Sequence, residues 1–91
     1  MSSSLHSINY IVFRDLLVKA RLIADLTQIQ VAEKLAKPQS YVSKYERGER
    51  RLDFAEFIQL ADIMGIDTVQ FIKEYRAELM HKSNQLLTCK K

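Results

Sequence analysis

One cysteine, one proline and two glycines are all that the 91 residues hold of these three types. A single cysteine, Cys89, closes no internal disulfide and supplies no structural zinc site; near the end of the chain it suits an exposed thiol in a reducing cytoplasm. His6 and His81 stand far apart with no ligand spacing around either, so neither a metal nor a cofactor is expected. With so little Gly and Pro there is scant material for many tight turns. No run reaches the roughly 18 apolar residues that a membrane span needs. "MSSSLHSINYIVF" has no basic leader and no small-residue cleavage site, so no secretion signal is expected. Catalytic machinery is missing too. Ser40, Tyr41, Ser43, His6 and His81 offer no nucleophile–base spacing, and there is neither a Gly-rich phosphate loop nor a plausible carboxylate pair. No catalytic residue is assigned and an enzyme is not expected.

What is present is helix-forming material. Leu, Ala, Lys, Glu, Gln and Ile dominate, and 47% of the residues are hydrophobic, enough to offset the entropy of ordering one domain of this length. The expected fold class is all-α. Residues 1–9 read as a Ser-rich arm, 10–81 as the folded unit and 82–91 as a polar tail.

Along the chain, "YIVFRDLLVKARLIA" places Phe13, Leu17, Ala20 and Ala24 at three- and four-residue steps, an amphipathic helix over Tyr10–Ala24. Thr27 and Gln30 have capping-box spacing and open a second helix with Val31, Ala32 and Leu35 on its inner face. Pro38 favours the first turn of a third, and Gly48 supplies the left-handed stop after Arg47. Asp53 with Glu56 opens a fourth, whose inward set is Phe54, Phe57, Ile58, Ala61 and Met64; Gly65 ends it. Asp67 with Gln70 opens a fifth, running at least to Leu79.

The net charge of +3 is unevenly spread. Residues 36–52 carry five basic side chains against two acidic, so this stretch alone holds an excess of +3, while 1–35 balance at +1 and 53–91 at −1. The excess sits on "KPQSYVSKYERGER" and its continuation, where only Val42 and Tyr45 look like core material. A short helix that packs two residues and displays Gln39, Ser40, Ser43 and Lys44 is built for contact outside the protein, and basic surroundings point to phosphate. Two short helices joined by a turn of three or four residues suggest a helix-turn-helix.

The residues "AR" at 20–21, "TQIQVAEKLA" at 27–36, "PQSYVSKYERGERRLD" at 38–53 and "LADIMGID" at 60–67 extend that signal. In combination the chain resembles the Cro and lambda-repressor-like, or XRE-type, helix-turn-helix family over about residues 12–75. The resemblance implies a five-helix bundle, here with an extended fifth helix, whose second and third helices bind double-stranded DNA. It makes Gln39, Ser40 and Lys44 the base readers. Gln28, Tyr41, Ser43, Arg47, Arg50 and Arg51 fall to the DNA backbone, with Gln28 also bracing Gln39. It makes Arg21 and Glu46 a buried structural ion pair. Asp25 and Ala36 depart from it by standing where many members carry Gly; Asp tolerates a left-handed conformation better than Ala does, so the turn at Ala36 is expected to differ.

The family usually binds as twofold dimers, which makes a homodimer through the fifth helix the expected assembly, with Ile72 and Leu79 at the contact. The function implied is a sequence-specific transcriptional regulator on an inverted-repeat operator, of the phage-repressor or restriction–modification controller kind. The alternative is an antitoxin whose C-terminal helix grips a protein partner.

Overall fold

The computed structural model describes the backbone from Ser7 to Cys89 and the side chains as far as Lys82. Five helices follow one another, with no strand among the described residues: α1 Ile8–Ile23, α2 Gln28–Leu35, α3 Gln39–Glu46, α4 Phe54–Met64 and α5 Thr68–Cys89. Local side-chain chemistry sets most of the starts. The Thr27 hydroxyl accepts from the Gln30 N–H while the Gln30 side chain accepts from the Thr27 N–H, a reciprocal capping box that Asp53 and Glu56 repeat at α4. Asp67 Oδ1 accepts from the N–H groups of Val69 and Gln70 at the head of α5. Gly65 ends α4 at φ 69°, and Gly48, after the Arg47 C-cap of α3, has φ 80°.

Several helix ends differ from the sequence expectation, α1 closing at Ile23 rather than Ala24 and α3 at Glu46 rather than Arg47 among them. The Ser7 hydroxyl accepts from the Tyr10 N–H, so α1 begins at Ile8 and residues 7–9 belong to it rather than to an arm; residues 1–6 lie outside the described residues. Pro38 is the N-cap of α3, in extended conformation, and the helix starts at Gln39 instead of Pro38. The polar stretch from Lys82 continues α5 as far as Cys89, because no Gly or Pro interrupts the chain after Gly65; residues 90 and 91 lie outside the description.

The core is shared by all five helices. Val12, Leu16 and Leu17 of α1 meet Val31 and Ala32 of α2, Val42 and Tyr45 of α3, Phe57, Leu60 and Met64 of α4, and Phe71 of α5. In α1 the buried stripe is turned from the expected one: Val12 and Leu16 are buried, while Ala20 and Ala24 are only half-buried. Phe13 packs against this core through edge contacts to Phe57 and Phe71, with ring centroids 5.5 and 6.1 Å away. Phe54 is the clearest correction. It is 75% exposed, because it is the first residue of α4 and lies beyond the end of the core that Phe57 fills.

Candidate nucleic-acid interface

α2 and α3 are joined by Ala36, Lys37 and Pro38. The turn closes through Ala36 N–H to Glu33 O and Lys37 N–H to Ala32 O, which requires Ala36 to sit left-handed at φ 58°, ψ 43°. The expected difference at this turn is therefore absent; Ala takes the glycine-like conformation and bears its strain. Asp25 does the same at φ 60° between α1 and α2. Ala36→Gly is expected to stabilise the protein by about 1 kcal/mol, relief of ~1–2 kcal/mol of strain offset by the ~0.5–1 kcal/mol entropic cost of Gly. A lower melting temperature in that variant would show that the turn is not left-handed.

α3 is anchored from within. Val42 and Tyr45 have no exposed surface, whereas Gln39, Ser40 and Lys44 are exposed and Ser43 is half-buried. Burial raises the Tyr45 hydroxyl pKa, and that hydroxyl has no hydrogen-bond partner among the described residues. Its value to the fold is the ring. Tyr45→Phe is expected to leave stability unchanged or raise it by about 1 kcal/mol, since an unpaired buried hydroxyl costs that order of free energy. A loss above ~1 kcal/mol on thermal melting would mean the hydroxyl is satisfied.

Behind α3 lies a buried ion pair. Arg21 donates from Nε to Glu46 Oε2 at 2.7 Å and from a terminal nitrogen to Glu46 Oε1 at 3.2 Å, and its other terminal nitrogen donates to Leu26 O at 2.9 Å. Glu46 Oε1 also accepts from Gln28 Nε2 at 2.8 Å, and Gln28 Oε1 accepts from Gln39 Nε2 at 3.1 Å. A chain of polar contacts thus runs from α1 to the first residue of α3. Arg14 adds a bond from α1 to the Glu46 carbonyl at 2.9 Å. That guanidinium explains Gly48 a second time: a Cβ there would stand 3.0 Å from Arg14 Nε.

A family model described as Helix-turn-helix matches residues 17–71, more than half of the chain, from the C-terminal part of α1 through α2, α3 and α4 to the first turn of α5. A solved structure, an XRE-family like protein from Pseudomonas syringae pv. tomato str. DC3000, is similar at 38% identity with a TM-score of 0.75, over 85% of this chain and 94% of that one. This chain belongs to the XRE-type helix-turn-helix family. No curated protein matches it. As an XRE-type protein it is a DNA-binding helix-turn-helix protein, and no helix among its described residues is long and apolar enough to cross a membrane.

The basic side chains of this XRE-type unit fall into two groups. Lys44 and Arg51 are exposed and make no ion pair among the described residues; Arg51 lies over the Tyr10 ring, 5.4 Å from its centroid. Arg47 and Arg50 are engaged. Arg47 donates to both Glu49 oxygens and to Ser43 Oγ, and the Glu49 carboxylate beside it raises its pKa. Arg50 pairs with Glu56 at 2.9 Å and covers the Tyr41 ring at 4.6 Å, with Lys37 at 5.3 Å from the same ring.

Tyr41 itself donates to Glu56 Oε2 at 3.0 Å. Burial and that carboxylate push its hydroxyl up to about 12. Burial pushes the Glu56 carboxyl up, but bonds from Arg50, the Asp53 N–H and Tyr41 outweigh it and hold the group below its ordinary value. Sequence spacing assigned Glu56 only its cap. Its second role joins residues 15 and 6 positions away.

Tyr10 was also missed. Its hydroxyl donates to Arg50 O at 3.1 Å and accepts from the buried Leu52 N–H at 3.0 Å, pinning the loop after α3 to α1. Nothing local signals a contact 40 residues away. On α5, Ile72 is half exposed, and Leu79, partly buried, packs against the protein's own core.

Proposed function

We propose that this protein is a sequence-specific transcriptional regulator that binds an inverted-repeat operator as a homodimer, with α3 in the major groove. The observation that carries this reading is the division of α3: Val42 and Tyr45 fully enclosed, and Gln39, Ser40 and Lys44 facing outward. A groove roughly 12 Å wide admits such a helix, Gln pairs with adenine N6 and N7, and Lys with guanine O6 and N7. Gln28, Tyr41, Ser43, Arg47, Arg50 and Arg51 surround the reading face as backbone contacts, which fix register more than sequence. Arg47 and Arg50 reach phosphate by exchanging their present carboxylates for it.

The homodimer is supported by unpartnered apolar surface. A cleft of about 440 Å³ is lined by Tyr10, Phe13, Phe54, Phe57, Ile72 and Tyr75, and Phe54 and Ile72 are exposed at its edge. Ile72 carries the proposed contact, with Leu79 flanking it. The same surface suits the protein partner of an antitoxin, and a stoichiometric toxin co-purified from the native host would favour that reading over the homodimer.

Selection from random duplexes tests the proposal. The expected product is two half-sites related by a dyad, with centres about 34 Å apart. Enrichment of no sequence would refute specific binding. Sedimentation of a monomer at tens of micromolar, unchanged by Ile72→Glu, would refute the dimer.

A further inference from the structure

The two arginines that follow α3 are held by carboxylates in different ways. Arg47 meets Glu49 fork to fork, Nε to Oε2 at 2.9 Å and a terminal nitrogen to Oε1 at 3.0 Å, while its other terminal nitrogen donates to Ser43 Oγ at 3.0 Å. All three guanidinium nitrogens are therefore occupied. The Glu49 carboxylate bonds nothing but Arg47 among the described residues, and those bonds, with Lys44 nearby, hold it below its ordinary value. Glu56 differs: besides Arg50 it accepts from Tyr41 and from the Asp53 N–H, so it is tied into the cap of α4. Both side chains of the Arg47–Glu49 pair are 54% exposed, and an exposed pair adds little to stability. The fold does not need Glu49.

A closed bidentate pair has no net charge. Phosphates held loosely, as in a non-specific complex, respond to net charge. They find Lys44 and Arg51, which make no ion pair among the described residues, and they do not find Arg47. A phosphate in direct contact is different, because it offers the guanidinium the same pair of acceptors that the carboxylate does. Only a complex in register, with α3 seated in the groove, keeps a phosphate at that place.

We infer that Glu49 is a specificity-determining residue: it withholds Arg47 from loosely bound DNA and yields it to a phosphate of the correctly seated site. This rests on the reading of α3 as a sequence-reading helix with Arg47 on the DNA backbone. Non-specific binding is almost wholly electrostatic, so one cation removed from it and kept in the specific complex widens the ratio between the two.

The test uses the full chain, a duplex carrying the selected site and a scrambled duplex, with affinities read by fluorescence anisotropy over a range of salt concentrations. Glu49→Gln removes the charge and keeps the size, and it is expected to melt with the wild type. On the scrambled duplex it is expected to steepen the slope of log affinity against log salt by about 0.9, which is roughly eightfold tighter binding at ~0.1 M salt. On the selected duplex, where Arg47 already meets phosphate, only the opening of an exposed pair is recovered, about twofold. The selected-to-scrambled ratio is therefore expected to fall about fourfold. In an Arg47→Ala background the same change is expected to strengthen both duplexes alike and leave the ratio unmoved, since no guanidinium remains to be released. A ratio that Glu49→Gln leaves unchanged, or that falls as far without Arg47, overturns the inference while sequence reading stands. A wild-type protein that binds both duplexes equally overturns sequence reading and the inference together.

Discussion

Glu46→Ala is expected to destabilise the protein by about 3–5 kcal/mol, the loss typical of breaking a buried ion pair from one side. The Arg21 side chain is 13% exposed and the Glu46 side chain 7%, so water cannot replace the lost carboxylate. Gln28 Nε2 loses its acceptor in the same step. Domains of this size have about 5–15 kcal/mol in total, so the loss takes a large share of the protein's stability. The reverse experiment separates a buried charge left alone from general damage to α3. Converting both partners, Arg21→Met with Glu46→Leu, is expected to recover most of the loss, because apolar replacement of a whole buried pair is often neutral or stabilising. Urea titration reads both. A single variant within ~1 kcal/mol of the wild type, below the range for a broken buried pair, would contradict the structural role of the pair.

Lys44→Ala and Arg51→Ala are expected to weaken DNA binding in different ways. Both residues are exposed and outside any ion pair among the described residues, so each has its charge available to DNA. Lys44 lies on the outer face of α3, one residue from the enclosed Tyr45, on the face proposed to meet base edges. Its removal is expected to cost about 1–3 kcal/mol on the preferred sequence and to relax preference at one position. Arg51 stands beyond α3, against Tyr10, and its removal is expected to weaken all duplexes alike and to lower the salt slope by about 1. Affinity titrations against salt on matched and mismatched duplexes check this. Indistinguishable behaviour of the two variants would mean that the charges act only as a shared field.

The features legible in the sequence were those that depend on neighbours within one turn. Thr27 with Gln30 and Asp53 with Glu56 announce helix starts because capping is a contact at three residues. Gly48 and Gly65 announce stops because positive φ favours residues without Cβ. Val42 and Tyr45 stood out as the apolar residues of a polar helix. Phe54 was misread because periodicity says which side of a helix is apolar and not how far along its axis the core extends. The stripe of α1 was misread because several apolar residues gave it two plausible faces, and packing against α2, α3 and α4 chose between them.

The site divides along the same line. Family spacing located Gln28, Gln39 and the Arg21–Glu46 pair, but the bond from Gln28 to Glu46 depends on how α2 and α3 cross. Arg14, which donates to the Glu46 carbonyl, and Tyr10, which holds the loop after α3, are long-range contacts without a local pattern. Ala36 gave the opposite error. Its side chain argued for a different turn, yet the hydrogen bonds that close α2 hold it left-handed.

The central claim is that the outer face of α3 distinguishes one DNA sequence from another, and the ratio of affinities for the selected site and a scrambled duplex at physiological salt tests it most directly. The wild-type ratio is expected to reach about 10³ or more, and a variant combining Gln39→Ala, Ser40→Ala and Lys44→Ala to bring it near one while melting as a folded protein. A wild-type protein that binds both duplexes equally, or a triple variant that still discriminates as well, would contradict the account.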